Sequence, residues 1–142
     1  MSPTTTVGME AVSAMPDVLR ILVPGGPRAV LLATRCTACG AVALGLRRRC
    51  LNCTSTRVET LECSTQGALV NYTVVHRAAA SWTGRVPYAL GQVALAEGPV
   101  VTAEIIGVDL NRLAVGTPMR LTLEITGHDA SGHPMLLHKW TG

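Results

Sequence analysis

Four cysteines in the stretch RCTACGAVALGLRRRCLNC, residues 35–53, constrain this chain more than any other feature in it. They form two CxxC pairs, Cys36/Cys39 and Cys50/Cys53, with ten residues between the pairs. A tetrahedral ion needs two ligand pairs, each able to bite from one tight turn, and this spacing supplies them. Gly40 directly follows the second cysteine and frees the backbone to aim amides at the sulfurs. The expected ligand set is Cys36, Cys39, Cys50 and Cys53, holding one zinc per chain; iron suits the same four thiolates as a rubredoxin-like site. A redox dithiol fits poorly, because such pairs open a helix within an alternating strand and helix pattern that is missing here. Cys63, the fifth cysteine, reads as a small hydrophobe on a strand.

The chain has 142 residues, enough for one barrel-sized domain with a small appendage. Apolar residues make up 48%, charged residues 15%, and Phe is absent, so the core is built from Val, Leu, Ile and Ala. A surface this poor in charge points to a partner. There is no apolar run long enough to span a bilayer. The start, MSPTTTVGMEAVSAM, has neither a basic n-region nor a continuous apolar h-region, so a cytoplasmic location is expected. In that reducing compartment cysteines serve metals or chemistry rather than a disulfide framework.

The formal charge is +3. Four thiolates around one divalent ion carry about −2, which leaves roughly +1 and excludes a polyanion binder by bulk charge. The distribution is uneven: residues 28–57 hold six arginines and no acid. Arg47, Arg48 and Arg49 read either as a solvated face offsetting the thiolates or as an anion-facing group.

Pro16 and Asp17 suit the first turn of a short helix over about Pro16 to Val23, placing Val18, Leu19 and Leu22 on one side. AVLLAT, residues 29–34, reads as a strand feeding the first cysteine pair. Later strands are expected over Glu59 to Cys63, Leu69 to Arg77, Gln92 to Ala96, Val100 to Val108 and Met135 to Trp140. The clearest is Met119, Leu121, Leu123 and Ile125, which alternate strictly with Arg120, Thr122, Glu124 and Thr126. The predicted architecture is all-β: a tail and short N-terminal helix over residues 1–28, a rubredoxin-like zinc ribbon over 29–58, and a five-stranded OB-fold barrel over 59–142.

A ribbon beside an OB fold raises single-stranded nucleic acid as a ligand. Such platforms use exposed aromatics, and this chain has only Tyr72, Tyr88, Trp82 and Trp140, with a single lysine. No catalytic constellation is legible either. His76, His128, His133 and His138 lack zincin spacing and a nucleophile-elbow context.

The ordered set LLATRCTACG, CLNC, GALVNYTVVHR, PYALGQVALAEGPVVTAEIIGVD and LAVGTPMRL resembles the acyl-CoA-associated family in which a rubredoxin-like zinc ribbon precedes an OB-fold domain. The resemblance runs over about residues 17–140. The stretch AVALGLRRR departs from it, lacking the aromatic and the proline that usually precede the second pair. What the resemblance implies is a non-catalytic accessory subunit beside a thiolase-superfamily enzyme, in thiolytic or retro-aldol cleavage or in acyl transfer on acyl-CoA thioesters. The implied assembly is a heterotetramer of two large and two small chains. On the loop from Ala78 to Tyr88, Trp82 would cover part of CoA, with Arg77 and Arg85 near its phosphates. A stand-alone acyl-CoA carrier is the other reading in the same chemical class.

Overall fold

The structure is a computed structural model and describes residues 11–22, 28–77, 79–82 and 84–142. Among the described residues, ten strands account for almost all of the regular structure, with a 3-10 turn at Leu110–Arg112. Two compact units are present. The first takes the residues up to Cys63 with Leu123–His138, and the second takes Ser64–Thr122 with Lys139–Gly142.

In the first unit, β1 (Val12–Ser13) pairs in parallel with β10 (Pro134–Thr141), Val12 opposite Met135. The central strand is β3 (Ala29–Cys36). β2 (Leu19–Ile21) and β4 (Val42–Leu44) pair with successive parts of it, and β5 (Val58–Glu62) runs antiparallel along Leu32–Cys36. The run AVLLAT is buried at every position, which is why it reads as continuously apolar rather than alternating.

The expected helix from Pro16 to Val23 does not form; Val23 lies outside the described residues. The amides of Val18 and Leu19 both donate to the Met15 carbonyl, at 2.9 and 2.8 Å, closing one turn. The chain then extends as β2, with Leu19 opposite Leu31 and fully buried. A helix this short lacks the length to stabilise itself, and β-branched Val18 and Ile21 favour the extended chain that β3 completes.

The barrel strands are β6 (Gln66–Val75), β7 (Tyr88–Leu95), β8 (Val100–Ile105), β9 (Pro118–His128) and β10. β6 pairs with β7, β7 with β8, β8 with β10, β10 with β9, and β9 with β6, closing a five-stranded OB-type ring. The β6–β7, β7–β8 and β6–β9 pairings are antiparallel, whereas β8 and β10 run parallel, with Trp140 opposite Ile105. Alternation along β7 and β8 turns Ala89, Val93, Leu95, Val101, Ala103 and Ile105 inward. Gly91 shares that face because a Cβ there would lie 2.6 Å from Ile105 Cδ1. The period-two run of β9 starts inward at Met119 and ends outward at Ile125, which is 57% exposed. Alternation thus located the strand, while burial fades along it.

Candidate metal centre

β3 delivers Cys36 at its last position, and a tight turn carries Cys39 back toward it. The turn has a defined hydrogen-bond pattern: Gly40 N donates to Cys36 O at 2.8 Å and Cys36 N donates to Ala41 O at 2.9 Å. Gly40 sits at φ +81°, a conformation that glycine takes without penalty. The second pair repeats the pattern. Thr54 N donates to Cys50 O at 3.0 Å, Cys50 N donates to Ser55 O at 2.9 Å, and Thr54 takes the left-handed position at φ +64°.

The two knuckles bring all four sulfurs within 4.8 Å of one another. Cys36 Sγ and Cys53 Sγ are 3.6 Å apart, and Cys39 Sγ and Cys50 Sγ are 3.5 Å apart. A tetrahedron with metal–sulfur bonds of about 2.3 Å has edges of about 3.8 Å, so the donor set fits a tetrahedral ion with little movement. Amide hydrogens support the sulfurs: Cys39 N donates to Cys36 Sγ, while Asn52 N and Cys53 N donate to Cys50 Sγ. Asn52 Nδ2 lies 3.6 Å from Cys39 Sγ. Such donors orient the ligands and stabilise thiolate charge.

Without an ion Cys36, Cys39 and Cys53 hold their protons unevenly. The Ala41 amide, the Asn52 side chain and the Cys50 thiol hold Cys39 down at about 6. Cys36 is also lowered, chiefly by the Cys39 amide. At Cys53 the Ser55 amide pulls downward, but hydrogen bonding with Cys36, burial, and the Cys39 and Cys50 thiols together push it to about 12. A divalent ion takes the place of those shared protons, so loading the site releases protons.

The other expected site residues are less concentrated. Trp82 stacks on Tyr88 with ring centroids 4.1 Å apart, and its Nε1 donates to Arg85 O at 3.2 Å. Arg77 and Arg85 are exposed, and among the described residues no hydrogen bond or ion pair joins Arg77 to either neighbour. Cys63 is buried at 3% exposure, as expected of a small hydrophobe, but it lies one residue past the end of β5 rather than on it. Tyr72 donates its hydroxyl to Leu113 O, and Trp140 is fully buried with Nε1 donating to Val101 O. Of the aromatics, then, Trp140 is inside the fold, Tyr72 is tied to the backbone, and Trp82 and Tyr88 lie against each other. Sequence reasoning missed Asn52, although an amide side chain between two ligands signalled it, and named Tyr88 without its stacking on Trp82, which had no local signal.

Residues 61–124 match the family model described as the ChsH2 C-terminal OB-fold domain. Over 80 residues the chain is 32% identical to a DUF35 domain-containing scaffold protein of Methanocaldococcus jannaschii. That alignment takes in 56% of this chain and 57% of the relative's length. A solved structure described as an Ltp2-ChsH2(DUF35) aldolase superposes with a TM-score of 0.60 and 24% identity, covering 79% of this chain and 84% of that one, which is a likeness of fold. The chain is thus similar to the ChsH2 OB-fold domain over residues 61–124, and its four-cysteine cluster lies outside that matched segment.

Proposed function

We propose that this chain is the small, non-catalytic subunit of a thiolase-like or aldolase-like enzyme acting on acyl-CoA thioesters, with residues 29–58 as a zinc ribbon and 59–142 as the OB-fold domain. The observation that carries this reading is the match of residues 61–124 to the ChsH2 OB-fold domain, in a chain that also holds a four-cysteine cluster. The proteins it resembles support it: one is a DUF35 domain-containing scaffold protein, the other an Ltp2-ChsH2(DUF35) aldolase. The larger partner supplies the nucleophile of covalent thioester chemistry. This chain stabilises the assembly, a heterotetramer of two large and two small chains, and the ribbon holds one zinc.

CoA contact falls to the loop before β7. Trp82 is fixed from one side by Tyr88 and by the Arg85 carbonyl, so it offers a flat surface already oriented for an adenine ring or pantetheine arm. Arg77 and Arg85 face the phosphates. The test is gentle affinity capture of the tagged chain from its own cells, followed by native mass of the eluate. A larger chain in equal proportion supports the subunit reading, and a lone small protein overturns it. Within that complex, Trp82→Ala and Arg85→Ala each weaken CoA binding by about tenfold. Unchanged CoA affinity and unchanged assembly in both variants would remove this loop from the site.

A further inference from the structure

The first unit contains a cavity of about 310 Å³ that the cysteines Cys36 and Cys50 help to line. Half-buried Ala41, Val42 and Val58 form an apolar wall, and exposed Arg47, Arg49 and Asn52 stand at the mouth. This is the composition of a small-molecule site, mostly apolar with a few convergent polar groups.

The two arginines are not consumed by the fold. Among the described residues the Arg47 guanidinium makes no ion pair or hydrogen bond; only its backbone is engaged, Arg47 N donating to Thr34 Oγ1. Arg49 makes one long bond, 3.3 Å to Thr54 O. The acids nearest in sequence are taken: Glu59 pairs with Arg35 at 2.7 Å and Glu62 with Arg20 at 3.0 Å. The thiolates do not claim the guanidinia either, since the donors to Cys36, Cys39 and Cys50 sulfurs are backbone amides and the Asn52 side chain. Arg47 and Arg49, which line the cavity, are therefore the cations available to a ligand there. We infer that this cavity binds a small oxyanion bearing a short apolar body, with Arg47 and Arg49 holding the charged head and Ala41, Val42 and Val58 contacting the body. A guanidinium presents paired donors that match carboxylate and phosphate alike.

The test is a nuclear magnetic resonance titration of the full, metal-loaded chain with hexyl phosphate, hexanoate, inorganic phosphate and 1-hexanol. Saturable amide shifts at residues 41–43, 52 and 58 are expected with hexyl phosphate or hexanoate, and the tighter of the two identifies the head group. Inorganic phosphate and hexanol bind at least about tenfold more weakly, each lacking one half of the recognition. The variant R47Q/R49Q loses about tenfold or more in affinity, while Arg48→Gln, which lies off the cavity, leaves it unchanged. Should the double variant fail to hold metal, Ala43→Leu, which fills the cavity without touching charge, abolishes binding instead. Equal weakening by R48Q would make the effect diffuse charge and overturn the site, as would shifts with inorganic phosphate as tight as with hexyl phosphate. Absence of saturable shifts with either amphiphilic anion overturns it outright.

Discussion

The ribbon and the barrel are stabilised by different physics. Between Cys36 and Arg57 the only buried residues are Cys36, Gly45 and Cys50, so the buried side chains there are ligands. The barrel, by contrast, buries Leu69, Val93, Val101, Ile105, Met119 and Trp140 almost completely. Burial of that kind is worth about 1.5–3 kcal/mol for each large apolar side chain. Residues 37–57 have no comparable source, so their order is expected to depend on an ion where the barrel's does not.

Removing the metal is the largest perturbation this contrast predicts. Structural zinc sites contribute about 10–16 kcal/mol of apparent binding free energy at neutral pH, and an ion held by these four cysteines would help to fold the segment in the same way. Chelation, or Cys39→Ser, is expected to erase hydrogen-exchange protection over residues 36–58 and leave β7 and β8 protected. Full protection of the ribbon after chelation would show that the ligands are not what holds it. Loss of protection in both regions together would show that the barrel depends on the ion too, and would end the contrast.

A smaller effect probes the parallel seam between β8 and β10. Lys139 Nζ lies 2.6 Å from Glu104 Oε1, and the two side chains are only 11% and 10% exposed. They flank the Trp140–Ile105 register, where Ile106 N also donates to Trp140 O at 2.8 Å. Lys139→Ala strands a carboxylate in a nearly dry site and is expected to destabilise by about 3–5 kcal/mol in chemical denaturation. The double variant K139M/E104L removes both charges and restores most of that loss. If the double variant is as unstable as the single one, the seam depends on the ion pair itself rather than on avoiding a lone charge.

What was legible in the sequence follows the same divide between local and distant determinants. Four ligands at CxxC spacing announce themselves because a metal knuckle is a local object. The barrel strands were legible wherever one face is buried, since Gln92 to Ala96 and Val100 onward alternate in step with the pleat. β1, β2 and β4 were not, being two or three residues long and existing only because β10 or β3 offers an edge. The helix expected from Pro16 failed for that reason: local pattern proposed it, and the edge of β3 outcompeted it. Trp82 was visible as a candidate, but its stacking on Tyr88 depends on the path of a turn that no residue pattern encodes.

The two knuckles allow the finest comparison, within the ribbon itself. They share a hydrogen-bond pattern and differ at the residue after the second cysteine, which is Gly40 in one and Thr54 in the other. A β-branched residue at φ +64° is strained, because its branched Cβ crowds the backbone in the left-handed region. Thr54 Oγ1 donates to Cys53 O at 2.6 Å, which offsets part of that strain. Thr54→Gly removes the crowding but also loses the bond and gives the unfolded chain more freedom, which leaves a net gain of about 0.5–1 kcal/mol. The expected readout is slower metal release to a competing chelator, by roughly two- to fivefold, with metal content unchanged. The reverse change, Gly40→Thr, should speed release by at least as much, because it imports the strain without the assurance of a matching hydroxyl bond. Release slowed by neither glycine nor hastened by threonine would mean that the knuckle backbone adapts to either residue, and that the ligands alone set how long the ion is held.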